Sequence, residues 1–236
     1  MDSETSTASG HLRTQWDLLD GWLRALGSEL DRAADRSSVL DGWTVGELVS
    51  HLGRALGALA RCTPVPPGTV PLTFAEYIGS YPERADEITA VTRELDHELA
   101  ADRLGGVERM AAEAFTRLDE LATERVVQAR RGPITLRDMV VSRVVELVVH
   151  ADDLARSLPA AAGSAVDRAA LDAVADELLR VVVARGGWSL EIRDPLLWTR
   201  LATGREPYDV DRLALALVPV HTSEAVPDLG RMLPLL

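Results

Sequence analysis

Glu146 and His150 stand four residues apart, one helical turn, and a further candidate ligand, His51, lies in a separate helical run. Two imidazoles and one carboxylate are the ligand set of catalytic zinc sites that keep a fourth position open. At the angular step of an α-helix, Arg143, Glu146, His150 and Asp153 fall on one stripe of the run Arg137 to Leu158, flanked by Leu147 and Leu154 on one side and Val145 and Val149 on the other. Ionisable groups among aliphatics are costly unless paired or metal-bound. A buried ion-pair network, Arg143 with Glu146 or Asp153, is the alternative to a metal site. His51 favours the metal, because it sits at the edge of an apolar helix face beside Ala55 and Ala58, whose small side chains leave room for a ligand.

The remaining candidates carry weaker signals. Glu47 precedes His51 by four residues and offers a second carboxylate ligand, but it also lies three after Thr44, where it reads as a capping acid. Cys62 is about 16 Å beyond His51 along a helix, too far to share an ion, and reads as a passenger thiol. His97 lies in the charged stretch Glu94 to Glu98, His11 near a terminus and His221 in an irregular tail. Gly204-Arg205 offers an anion site, although a helix stop followed by a surface arginine is the plainer reading. No Ser/His/Asp order, glycine-rich phosphate loop or aromatic stacking platform stands out.

Helices must position these residues. Thr44 with Glu47, Thr73 with Glu76, Thr135 with Asp138 and Ser164 with Asp167 each place a hydroxyl three residues before an acid, the pattern of a helix start. A first helix is expected from near His11 through Trp16, Leu19, Leu23, Leu26 and Leu30 to about Ala34, and a second from Val45 to Arg61, stopped by the proline-rich segment Thr63 to Pro71. Phe74 to Leu121 reads as helical with a break at Leu104 to Gly106, Arg130 to Pro133 as a loop, and Arg137 to Leu158 as the most hydrophobic helix. Four such helices suit an antiparallel bundle with inward metal ligands. Beyond a hinge at Pro159 to Gly163 come a helix over Arg168 to Arg185, a short strand at Trp188 to Ile192 and a helix over Pro195 to Ala202. The tail from Val218 has no firm periodicity. The fold class is mainly α, with domains at 1–160 and 161–236.

Composition narrows the function. The net charge of −12 argues against nucleic acid and anionic membrane surfaces, whose binding rests on cationic side chains. With a single cysteine there is no disulfide framework, and a reducing, cytoplasmic setting is expected. No apolar stretch approaches the roughly 18 residues that span a bilayer.

The segments Trp43 to Leu52 and Arg143 to Leu154 resemble the two metal-ligand helices of mycothiol-dependent maleylpyruvate isomerase-like proteins, within the wider DinB-like family of metal-binding four-helix bundles. The resemblance covers residues 10 to 160 and implies that His51, Glu146 and His150 hold a divalent metal, usually zinc. It further implies mycothiol as thiol cosubstrate and a small electrophile as substrate, isomerised or S-conjugated, with Arg143 or Asp153 orienting a ligand. Trp198 to Arg205 and the ending Asp228 to Leu236 resemble the small α/β C-terminal domain of the same group. This chain passes almost directly from Ile192 into the next helix where relatives carry a strand-rich insertion, so a truncated sheet is expected. That shortening leaves open a non-catalytic, metal-containing module that binds a small ligand.

Overall fold

Helix α1 (Ser3–Leu26) starts where the Asp2 side chain accepts the Thr5 amide at 2.8 Å, well before the expected start near His11. The computed structural model describes residues 1–221 and 226–236. The apolar spacing that joins Leu26 to Leu30 does not make one helix, because Gly27 takes φ +50° and turns the chain into a separate short helix, α2 (Ser28–Ala33). Helix α3 (Val45–Ala60) begins with the expected capping box, and Val45, Leu48, Val49, Leu52, Leu56 and Leu59 are all buried.

Three short β-strands follow from segments expected to be irregular. β1 (Thr63–Pro64) pairs with β2 (Val126–Ala129), and β2 forms an antiparallel hairpin with β3 (Gly132–Thr135). The expected loop Arg130 to Pro133 is therefore a two-residue turn flanked by strand. The helical stretch between β1 and β2 comprises α4 (Phe74–Gly79), a single 3-10 turn at Pro82–Arg84, α5 (Ala85–Leu99) and α6 (Arg103–Glu120). The break lies at 100–102 and not at 104–106. Gly105 and Gly106 sit inside α6, and Gly106 lies so close to Leu99 that a Cβ there would approach its side chain within 2.4 Å. Close packing, not helix breaking, is what that glycine serves.

Helix α7 (Leu136–Ser157) starts at Thr135, whose hydroxyl accepts the Asp138 amide at 3.0 Å. It packs on α1 and α3, while α3 packs on α6 and α5, giving the bundle. Gly53 lets α3 approach α6 closely, since a Cβ there would meet the Met110 sulfur at 2.9 Å.

The C-terminal part leans on this bundle through α8 (Arg168–Gly186), which contacts α7 and α1. Its cap is Asp167 itself, accepting from the Ala170 amide, while Ser164, expected to begin the helix, bonds Val166 instead. Then come β4 (Leu190–Ile192), α9 (Pro195–Ala202), α10 (Val210–Ala216) and β5 (Leu217–Pro219), with β4 and β5 forming a two-stranded antiparallel sheet. The sheet has two strands of three residues each, and the sequence carried no signal for α10 or β5. Trp198 ties α9 to α8, fully buried and donating its indole N–H to the Ala175 carbonyl at 3.0 Å. Trp198→Ala is expected to cost about 3–5 kcal/mol of stability, read as a lower urea midpoint.

Candidate metal centre

Because α7 is covered by α1, α3 and α8, almost its whole circumference is buried, and its polar residues must be matched inside the protein. The stripe expected from the sequence faces α3. There His51 meets Glu146 and His150. The His51 Nε2 lies 3.4 Å and the His150 Nε2 3.3 Å from Glu146 Oε2, while the two imidazoles stand edge to face at 4.7 Å.

These separations test the metal reading directly. Charge-assisted N–H···O bonds run at about 2.7–2.9 Å, so neither contact is a good one. Donors on a tetrahedral zinc at 2.0–2.1 Å lie about 3.3–3.4 Å from one another. The two separations from Glu146 Oε2, with all three donor atoms within 4.8 Å of one another, fit a divalent cation that two imidazoles and one carboxylate would hold.

Each imidazole is oriented from behind. Asp153, fully buried, lies 3.0 Å from His150 Nδ1, and a carboxylate only accepts, so Nδ1 carries the proton and Nε2 turns its lone pair inward. Thr92 on α5 orients His51 from behind, its hydroxyl 3.2 Å from Nδ1, although a hydroxyl both donates and accepts and so does not by itself select the tautomer. Arg143 is buried and donates to the Ala55 carbonyl at 2.9 Å and to the Tyr81 hydroxyl at 2.6 Å, leaving it 3.7 Å from Glu146 Oε1. Of the ion pairs expected as the alternative, Arg143 with Glu146 is present at 3.7 Å, while Asp153 pairs with Arg205 and not with Arg143.

Electrostatics follow from this packing. Burial favours the neutral acid at Glu146, yet the contacts from His150 and His51 and the nearby Arg143 outweigh it and hold the carboxyl well below the usual range. Burial pushes His51 down to about 4 against the pull of Glu146. At His150 burial acts in the same sense, but Asp153 and Glu146 overcome it and raise its value. Without a cation, His150 is therefore the imidazole that takes a proton first.

A cleft of about 220 Å³ opens over the three donors, with Trp43, Val145, Val149, Ile88 and Tyr81 in its walls and Arg205 at its edge. Arg205 is no surface residue: its side chain is 16% exposed and reaches Asp153 Oδ2 at 3.3 Å. Sequence reasoning also missed Thr92, which sits in an otherwise charged helix, and Trp43, which stacks edge to face on His51 at 5.1 Å. Glu47 is taken up by its cap, with Thr44 N–H at 2.8 Å, and by Arg93. The Cys62 thiol is buried, and burial raises it to about 11, so it is no thiolate. His97 and His221 are exposed. A larger hollow of about 270 Å³ between α1, α7 and α8 includes His11, but among the described residues only His51, Glu146 and His150 converge as metal donors.

The sequence profile of the mycothiol maleylpyruvate isomerase N-terminal domain matches residues 12–155, more than half of the chain. The chain belongs to that family. A solved structure described as the crystal structure of the mycothiol-dependent maleylpyruvate isomerase superposes with a TM-score of 0.53 at 16% identity, covering 83% of this chain and 80% of that one. At that identity the likeness speaks for the fold, and it extends beyond the matched N-terminal segment. Comparison with curated protein sequences gives no match. Among the described residues no helix is long and apolar enough to cross a membrane.

The support behind His150 has a measurable consequence. Asp153→Asn is expected to weaken zinc binding about 10–100-fold in chelator competition, because Asn presents a weaker acceptor to Nδ1–H and leaves Arg205 without its carboxylate.

Proposed function

We propose that this protein is a zinc-dependent enzyme that uses a low-molecular-weight thiol, mycothiol, to isomerise or S-conjugate a small electrophile. The observation that carries the reading is the convergence of His51, Glu146 and His150, whose donor atoms lie within 4.8 Å of one another, at the floor of an otherwise largely apolar cleft. Family membership supplies the thiol and the class of reaction.

When bound, the cation would supply the Lewis acidity that keeps a thiol as thiolate at neutral pH. Glu146 contributes a negative charge, His150 an inward lone pair fixed by Asp153, and His51 a ring nitrogen whose orientation Thr92 holds. Trp43, Leu40, Ile88, Val145 and Val149 exclude water from the reacting groups. In isomerisation the sulfur adds to a conjugated double bond, the resulting single bond rotates, and elimination returns the thiol with the trans product; in conjugation the adduct is released. We take residues 161–236 as the unit that closes the cleft, since Arg205 and Leu236 line it.

The short β4–β5 sheet favours one competitor, a metal-containing binding module without turnover. Freshly purified protein is expected to hold about one zinc per chain, to lose it in His51→Ala and His150→Ala, and to form adduct or isomer from mycothiol and an activated alkene. Unchanged zinc in both variants refutes the ligand assignment. Zinc binding with no product from any electrophile favours the binding module.

A further inference from the structure

The hollow between α1, α7 and α8 holds about 270 Å³, more than the metal cleft at about 220 Å³. That is near the lower end of the roughly 300–1,000 Å³ of small-molecule pockets. It lies on the far side of α7. At about 100° per residue, Arg137, Val141 and Val144 stand roughly 140–180° around the helix from Glu146, so the two cavities open on opposite faces. Val141, Val144 and Val174 are buried and form its floor, while the small side chains of Ala8 and Ala173 leave the space unfilled. Such a floor suits a compact apolar body.

The polar rim sets the charge of what fits there. Arg137 on α7 and Arg180 on α8 both turn onto Glu177, and Arg137 also meets Asp138 at 2.8 Å. Two carboxylates thus match two cations. Glu4 and Asp176 stand exposed on the same rim and enter no ion pair among the described residues. His11, two turns beyond Glu4 on the same face of α1, is half-buried and makes no hydrogen bond through its ring among the described residues. The unmatched charge is therefore negative, in a chain whose net charge is −12, so the hollow draws cations and repels anions. A protonated amine brings N–H donors to the two carboxylates and to the imidazole. The chain contains no lysine, so no ammonium side chain from a second copy can fill the place.

We propose that this hollow is a second binding site, separate from the metal centre, and that it takes a small organic cation: a protonated amine carried on a compact apolar body. The apolar part rests on the valine floor, and the ammonium faces Glu4 and Asp176. Burial of hydrocarbon supplies the affinity, and the exposed carboxylates select the sign of the charge. The site needs neither zinc nor thiol chemistry.

Phenethylamine, phenethyl alcohol and hydrocinnamate, alike in body and different in charge, are titrated into the full chain, zinc-loaded and zinc-free, by calorimetry and by amide chemical shifts. The amine is expected to bind both forms equally and to move amide signals on the facing surfaces of α1, α7 and α8, with the alcohol weaker and hydrocinnamate not binding. Glu4→Gln and Asp176→Asn are each expected to lower the affinity about twofold to fivefold, and the double variant about tenfold. Added salt weakens binding in the parent chain. Ala173→Phe fills the hollow and is expected to abolish binding; circular dichroism melting checks its folding, and the double variant carries the test where it fails to fold. Zinc content stays unchanged throughout. The site is overturned by absent amine binding, by alcohol or hydrocinnamate binding as tightly as the amine, by undiminished affinity in the double variant, or by shifts confined to the metal cleft. Failure of the thiol chemistry leaves these titrations intact and bears on the proposed function alone.

Discussion

A carboxylate ion held inside an aliphatic helix bundle is the constraint around which this protein is arranged. Glu146 projects from a helix buried on nearly every side, where an uncompensated charge costs several kcal/mol. The two imidazoles and Arg143 hold it ionised, but neither imidazole makes a short hydrogen bond, each standing 3.3–3.4 Å from its Oε2. The spacing suits a cation between the three side chains better than it suits contact among them. Arg143 adds a positive charge from the side, 3.7 Å from Glu146 Oε1 and close enough to favour the carboxylate ion.

The parts that hold this arrangement come from most of the chain. Thr92 on α5 and Asp153 on α7 each orient one imidazole, so the second layer of the centre is as dispersed as the first. Two adjacent carboxylates on α7 also reach the C-terminal part: Asp152 takes a bidentate pair from Arg200 at 2.8 and 2.6 Å, and Asp153 meets Arg205. Asp153 therefore holds His150 and a residue at the cleft edge at once. Docking of the C-terminal segment and orientation of His150 share one carboxylate, which links the outer part of the molecule physically to the centre.

Charge is unevenly distributed in a way the composition hides. The acidic residues lie mostly outside, many in exposed pairs such as Arg32 with Glu29 and Arg109 with Asp102, which contribute little.

The sequence by itself determined the periodic elements and the local caps. The face of α3, the capping boxes at Thr44 and Thr73, the span of α9 and the inward stripe Arg143–Glu146–His150–Asp153 were all legible, because helical spacing and capping depend on residues within a few positions of one another. The limits of such reasoning show at Gly27 and at Gly106: both interrupt an apolar pattern, and only the surrounding contacts decide that the first turns the chain and the second packs against Leu99. The hairpin around Arg130 and Arg131 was hidden because its strands are short and gain their partners from β1 and α7. Tertiary structure alone decided that Thr92, Trp43, Tyr81 and Arg205 belong to the site, since each comes from a different element and no spacing relates them. It also decided that His51 and the α7 pair share one centre, which requires two helices to pack at close range in one register, a property of assembled surfaces and not of either segment.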